Sequence, residues 1–434
     1  MAQGIYNYLK PHISLCMDTL KQFILLLIFT FTFSAAYGQI DTDRLDDYLF
    51  KIVVISPGKE IYMWWGHIAL IVEDTRLNSS RLYNWGMFTY PGDSFIRDFI
   101  DGKVQYMCIA LNIDVEEFIS EGWGITAYTL NLDRKAKESI LSYAEESILP
   151  LNRYYDYKEY SDNCSTRIRD LIDLGTGGQF MAAHETSDRQ YTIRQYIRRY
   201  TWSKPISDWL LNLLMGQNLD KKVTSWEGMF LPAEIARNII GFSYSDEYGM
   251  ERRLVSSVET YNSARNGTSI RDHAPPAWPF SLAIGLLFAV LLFFVNVHRK
   301  NHQKAGRLIW GISQSILGLI LGLAGCILFI GLFLMEDEMI QQNLNILFIN
   351  PLLLIIVPPG ILTAVKKRPV KKADKFLRAI WTYVFIAGSI TMLLNVMPFY
   401  YQQNQSVLAL ILPVAFVFCG IPLKIKQHYK ISNA

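Results

Sequence analysis

Cys164 is the residue of this chain best suited to covalent chemistry. Asn163 before it is a good helix N-cap, and the run CSTRIRDLIDL has a helical pattern. In that pattern Ile168, Leu171 and Ile172 share one side, and Arg167, Arg169 and Asp170 fall on others. The cysteine therefore lies in the first turn of a helix. Unpaired main-chain N–H groups and the positive end of the dipole favour a thiolate there. Arg167, one turn on, acts in the same direction. Two other readings stand beside this one. Cys164 is a buried cysteine that merely starts a helix, or it is bridged to Cys108 in the apolar run VQYMCIAL.

A thiolate nucleophile needs a group that takes and returns a proton. Of the 7 histidines, His12 falls in a candidate export signal, and His298, His302 and His428 flank candidate membrane spans on their basic side. His67, His184 and His273 are left to share a compartment with Cys164. His184 lies in an irregular polar stretch and His273 in a linker. His67 opens the run HIALIV, a strand that can aim it. A polar segment, EDTRLNSS, separates this run from RLYNW, so the two should form a hairpin. With a turn symmetric about residues 75 and 76, His67 faces Asn84 on one side of the sheet. An amide there accepts from one imidazole nitrogen and leaves the other for sulfur, the Cys-His-Asn logic of papain-like proteases. A turn or edge role for Asn84 is the competing reading, and a slip of one residue would turn it to the other face.

The elements that must carry these side chains follow from pattern. Residues 48–55, 67–72, 81–85 and 103–111 read as strands. Residues 93–100, 134–147, 191–200, 206–214 and 232–240 read as helices, as does the stretch after Asn163. Strands followed by helices that pack on them make an α+β fold. Gly-Thr-Gly-Gly at 175–178 is the C-cap of the Cys164 helix rather than a phosphate loop.

The 434 residues are 51% hydrophobic with a net charge of +3, a balance that gives no case for nucleic acid. The hydrophobicity is uneven. An apolar run at 23–33, preceded by Lys21 and closed by SAAYGQ, reads as a secretory signal cleaved near Gly38, with Met17 a second candidate start. Left uncleaved, it is an extra anchor with the next domain still outside. Residues 39–273 are then an exported domain, and APPAWP begins a membrane domain over 274–434. Five spans are expected at about 278–297, 308–334, 346–365, 376–397 and 407–423. Lys and Arg crowd the loops after the first, third and fifth spans; the loops around 335–345 and 399–406 contain none. The positive-inside rule puts the basic loops in the cytoplasm and the soluble domain opposite. Asn350-Pro351, Pro358-Pro359 and Asn395 interrupt the spans, as kinks and cross-links or as a polar notch for a lipid or substrate terminus. No His, Cys, Asp and Glu cluster has metal-ligand spacing, so no metal or cofactor is expected.

A strand histidine ahead of a helix-start cysteine resembles a circularly permuted papain-like fold. That fold occurs in the lecithin:retinol acyltransferase group and in permuted relatives of NlpC/P60 peptidases. More closely, WWGHIALIV, YNWGMF, FIDGKVQY, YDYKEYSDNCSTRIRDLI and the FLP at 230–232, followed by a multi-span tail, resemble the Lnb family. These are the lipoprotein N-acyltransferases of Bacteroides-type bacteria. The resemblance covers the exported domain and the tail, and GH and DNCSTR are its most specific parts.

The resemblance implies that Cys164 takes an acyl chain from a phospholipid as a thioester. The N-terminal amine of a diacylglyceryl-cysteine lipoprotein then accepts it, with His67 as the base. The Cys164 amide and a neighbouring donor would hold the oxyanion. Arg167 is the expected contact for the donor phosphate, or else a surface ion pair; Asn163 and Ser165 are the flanking substrate contacts. The partners would be phospholipid, diacylated lipoprotein and the inner membrane, with the catalytic domain periplasmic. Asp220 and Glu227 stand out without a role. Two rival classes share the residues. One is an envelope cysteine hydrolase, a peptidoglycan endopeptidase or phospholipase; the other is a lipid-binding scaffold with a structural Cys164. A wet peptide groove would favour a peptidase, and an apolar slot at membrane height would favour acyl transfer.

Overall fold

A computed structural model of the chain describes residues 42–88, 104–120, 123–187, 189–262, 270–300, 304–335, 339–366 and 370–420. The export signal and the expected helix at 93–100 lie outside the described residues. By its contacts the chain divides into residues 1–47 and 48–434, and the sheet and the apolar helices both belong to the second unit.

The strands are β1 (Tyr48–Ile55), β2 (His67–Asp74), β3 (Ser79–Phe88), β4 (Gln105–Ile113), β5 (Ile125–Leu130), β6 (Tyr154–Asp156) and β7 (Val255–Tyr261). They form one antiparallel sheet in the order β7-β5-β1-β2-β3-β4-β6. Val53, Ala69, Ile71 and Leu82 cluster on one face. Ile52, Ile68 and Leu70 alternate to the other, where α1 (Arg134–Ser147) and α2 (Cys164–Gly175) pack. From these helices come Ile140, Leu141, Ile168, Leu171 and Ile172, all buried. Each such side chain contributes about 1.5–3 kcal/mol of burial. The α+β architecture and the helix at the cysteine are as expected.

The hairpin register differs from the symmetric turn. Leu70 lies opposite Tyr83 and Asp74 opposite Ser79, so residues 75–78 form the turn. Asp74 Oδ1 accepts from the N–H groups of Arg76 (2.9 Å) and Leu77 (3.0 Å), and Asn78 takes a φ of 49°. The side chain of Asp74 thus builds a longer loop than a two-residue turn. Continued, this register sets Gly86, not Asn84, across from His67. The error is two positions, so the facing side is preserved.

In the membrane domain, α5 (Trp278–Lys300), α6 (Lys304–Phe333) and α8 (Lys371–Leu394) are long and apolar. The third span is built of 3-10 turns at Leu344–Leu347 and Pro351–Ile356 that lead into α7 (Val357–Val365). Its prolines lack the N–H that an α-helix needs. Asn350 caps the second piece through Leu352 N–H (3.2 Å) and donates to Tyr383 Oη (2.7 Å), so this polar break is filled by a cross-link to α8. Four spans are long enough to cross a bilayer, and α9 (Gln405–Cys419) is a shorter fifth among the described residues.

Two helices, α3 (Ile193–Thr201) and α4 (Pro205–Leu214), join the sheet domain to the spans. Arg194, Arg198 and Arg199 of α3 are buried, each against a carboxylate: Asp220 (2.7 Å), Asp208 (3.1 Å) and Glu234 (2.6 Å). Charges persist inside a protein only when paired in this way. Asp220 also accepts from the Gln403 N–H (2.9 Å), and Trp209 Nε1 donates to Ser406 O (3.2 Å). The start of α9 and the residue Gln403 before it are thereby tied to α4 and to the carboxylate paired with α3.

Candidate functional site

Asn163 sets the start of α2. Its Oδ1 accepts from Ser165 N–H (2.7 Å) and Thr166 N–H (3.0 Å), and Thr166 Oγ1 accepts from Asn163 N–H (2.7 Å). The Asn163 amide nitrogen donates to Glu159 O (2.7 Å) and Phe230 O (3.1 Å). The four bonds of the side chain use both lone pairs and both protons of its amide. The cap fixes Cys164 in the first helical turn and ties that turn to the FLP segment.

His67 approaches from the start of β2. Its Nε2 lies 2.9 Å from Asn84 Oδ1, which also accepts from Gly86 N–H at 2.8 Å. The other ring nitrogen is left for the sulfur, with which His67 shares a hydrogen bond. The ring lies on Gly86: a Cβ at that position would sit 2.3 Å from His67 Cε1. Glycine opposite the histidine is therefore a condition of the arrangement.

The pKa values of the two groups shift toward each other. Burial alone would push the Cys164 thiol up; the His67 charge and hydrogen bond, the Ser165 hydroxyl and the Ile68 N–H outweigh it and lower the thiol below its usual range. Burial alone would lower His67; the Cys164 charge, the hydrogen bond to sulfur and Asn84 outweigh it and raise the imidazole. Both shifts favour a thiolate beside an imidazolium. The Ser165 hydroxyl is buried with no hydrogen-bond partner of good geometry, and it is one of the groups that lower the Cys164 thiol. Cys108 and Cys164 are both free thiols, which removes the bridged reading. Burial holds the Cys108 thiol well above its normal range, so it stays protonated.

The sulfur meets a cavity of about 280 Å³. Trp65, Ile197, Leu211, Phe230, Leu231 and Met339 make its wall largely apolar. Tyr106 and Tyr157 stack on one another at 4.1 Å and also line it. Burial and the neighbouring carboxylate and thiolate push Tyr106 up to about 12 and Tyr157 well up as well, so both phenols remain donors. Glu159 is the charged member of the described lining. Ile61 and Tyr62 complete it and are 70% and 77% exposed, which places the mouth on their side.

The structure brings together Cys164, His67, Asn84, Asn163 and Ser165. Arg167 is not among the lining residues. Its guanidinium is bidentate to Asp162 (2.6 and 2.7 Å) and lies 4.5 Å over the Tyr155 ring. Glu227 caps a turn by accepting from Thr224 N–H (2.8 Å), and Asp220 belongs to the Arg194 pair. Pattern reading leaves Tyr106, Tyr157, Glu159 and Met339 without roles. Tyr106, Tyr157 and Glu159 lie in FIDGKVQY and YDYKEY, stretches that carry the family resemblance without marking these side chains; Met339 has no local signal.

Residues 33–199 match the family model described as the Lnb N-terminal periplasmic domain, and residues 275–427 match the one described as the Lnb transmembrane domain. No curated protein and no solved structure is significantly similar to the chain.

Proposed function

The chain belongs to the Lnb family, with a periplasmic N-terminal domain on inner-membrane helices, and from that premise we propose that it is a lipoprotein N-acyltransferase. It moves an acyl chain from a phospholipid through a Cys164 thioester to the N-terminal amine of a diacylglyceryl-cysteine lipoprotein. One observation carries this reading: the His67-paired sulfur opens into an apolar cavity whose wall includes a side chain of the membrane domain. A peptidase needs a wet groove for a polar chain, and the lining described here suits an acyl chain instead. The order of strand histidine before helix cysteine supports a permuted papain-like domain.

In the first step the thiolate attacks the ester carbonyl and a C–S bond forms. The oxyanion falls to the Cys164 N–H, since the next two amides are held by Asn163. The C–O bond to glycerol breaks, and the imidazolium proton goes to the leaving oxygen. In the second step the acceptor amine attacks the thioester. A C–N bond forms, the C–S bond breaks, the amine proton passes to His67, and the ion pair is restored. Asn84 keeps the ring turned toward sulfur, Asn163 positions the helix start, and Ser165 supports the thiolate. Glu159 suits a cationic amine waiting at the mouth. Arg167, through Asp162 and Tyr155, braces the segment before the cysteine. Both substrates lie in the outer leaflet, so anchoring the domain raises their effective concentration.

Cys164→Ala should end N-acylation, and His67→Ala should lower it by about 10²- to 10⁴-fold, at unchanged protein level. Mass spectrometry of lipoprotein N-termini reads both. Fully triacylated product from Cys164→Ala would end the proposal, and a hydrolase would release free fatty acid with no gain of mass on the acceptor.

A further inference from the structure

Among the described residues that line the cavity, Met339 alone comes from the membrane domain. It belongs to the segment between the second and third spans, and that segment is held against the sheet domain by main-chain and amide bonds. Gly216 N–H donates to Met339 O (2.7 Å) and Gln217 N–H to Gln342 O (3.2 Å). Asn343 Nδ2 donates to both Leu213 O and Leu214 O at 2.8 Å. Gln402, from the loop before α9, donates to Met215 O (2.8 Å) and Asn343 Oδ1 (3.0 Å), and accepts from Leu344 N–H (2.7 Å). Gly216 permits the approach, because a Cβ there would lie 1.8 Å from Gln341 O.

The side chain of Met339 packs on two cores at once. One is the core of the spans; the other contains Ile197, Phe230 and Leu231, which themselves face the cavity. A side chain whose own carbonyl and following residues are held, yet unbranched and with three rotatable bonds, is an adjustable wall. The cavity is near the lower end of small-ligand sites, roughly 300–1,000 Å³. At about 280 Å³, it gives one wall residue leverage over how much of a chain fits.

We infer that Met339 is the specificity-determining residue through which the membrane domain selects the acyl chain loaded on Cys164. The inference rests on the acyl-transfer reading. It assigns the spans a part in the reaction: they supply one side of the acyl site. Removing the Met339 side chain should deepen the cavity and favour longer chains. Enlarging it should shorten what fits.

The test uses the full chain in vesicles of mixed phospholipids that carry short and long acyl chains. The Cys164 thioester is trapped and its acyl mass measured for the native protein, Met339→Ala and Met339→Phe. Opposite shifts in the long-to-short ratio are expected, each of about 10-fold, the discrimination that one methylene gives in an apolar pocket. A destabilised protein would lower both products without changing their ratio. Unchanged ratios in both variants, with Cys164 still acylated, overturn the role of Met339 and leave the transferase reading intact. A native protein that never forms the thioester overturns both.

Discussion

The sulfur–imidazole pair and the seam between sheet domain and spans are both buried polar clusters, but they are held in different ways. At the pair, single atoms decide the outcome: one glycine beneath a ring, one amide oxygen on its nitrogen, one cap before the cysteine. At the seam, Asn343, Asn345, Gln402 and Asn404 share partners. Asn345 Nδ2 donates to the Leu213 O that Asn343 also binds, and to Asn345 Oδ1 Asn404 donates in turn (2.7 Å). Each bond there is worth about 1 kcal/mol net, and neighbours cover for a loss. The pair should therefore be brittle and the seam graded.

The strongest way to break this contrast is Gly86→Ala. The new methyl would occupy the place of the His67 ring edge, and the base would have to swing away from sulfur. Loss of about 10²- to 10⁴-fold in N-acylation is expected, with a fold that stays intact because β3 keeps its ladder. Activity within a few-fold of native would refute the geometry. Asn84→Ala should act next in size. In the proposed mechanism thioester formation needs the imidazolium as acid, so its rate should fall as pH rises through the raised His67 pKa. Asn84 is one of the groups raising that pKa, so without it the fall must come at lower pH. The plateau should drop roughly 10- to 100-fold for the loss of a bond to a charged ring, about 1.5–3 kcal/mol. Single-turnover acylation followed across pH measures both effects, and an alkaline limb that stays in place would contradict the assignment of the Asn84 bond. The smallest effect on rate belongs to the seam. Asn343→Ala should lower unfolding stability by about 1–3 kcal/mol while leaving most activity. A loss of rate as large as that of Gly86→Ala would erase the distinction between the two regions.

The same contrast governs what pattern reading reaches. The helix start at Cys164 is legible because Asn163 and the apolar spacing after it are local. His67 emerges by elimination from compartments, and its partner Asn84 survives a register error because the Asp74 turn shifts β3 by two positions and not one. The strand β7 is hard to see in VSSVETY, an exposed polar stretch whose pairing partner β5 lies more than a hundred positions away. The buried arginines of α3 look like a solvated face until Asp208, Asp220 and Glu234 are brought to them by the fold. The loops without Lys or Arg were a usable sign: charge puts them on the side of the soluble domain, and there they dock. Which of their residues reaches the cavity depends on Gly216, a close approach that no periodicity announces.

Cys108 has a consequence for chemical damage. It is sealed in β4 with its thiol protonated, while the sulfur at the helix start has a lowered pKa and opens on a cavity. An oxidant that reaches the Cys164 sulfur makes a sulfenic acid, and the sheet domain's described residues offer no second thiolate to resolve it. Recovery then depends on a reductant supplied from outside the molecule.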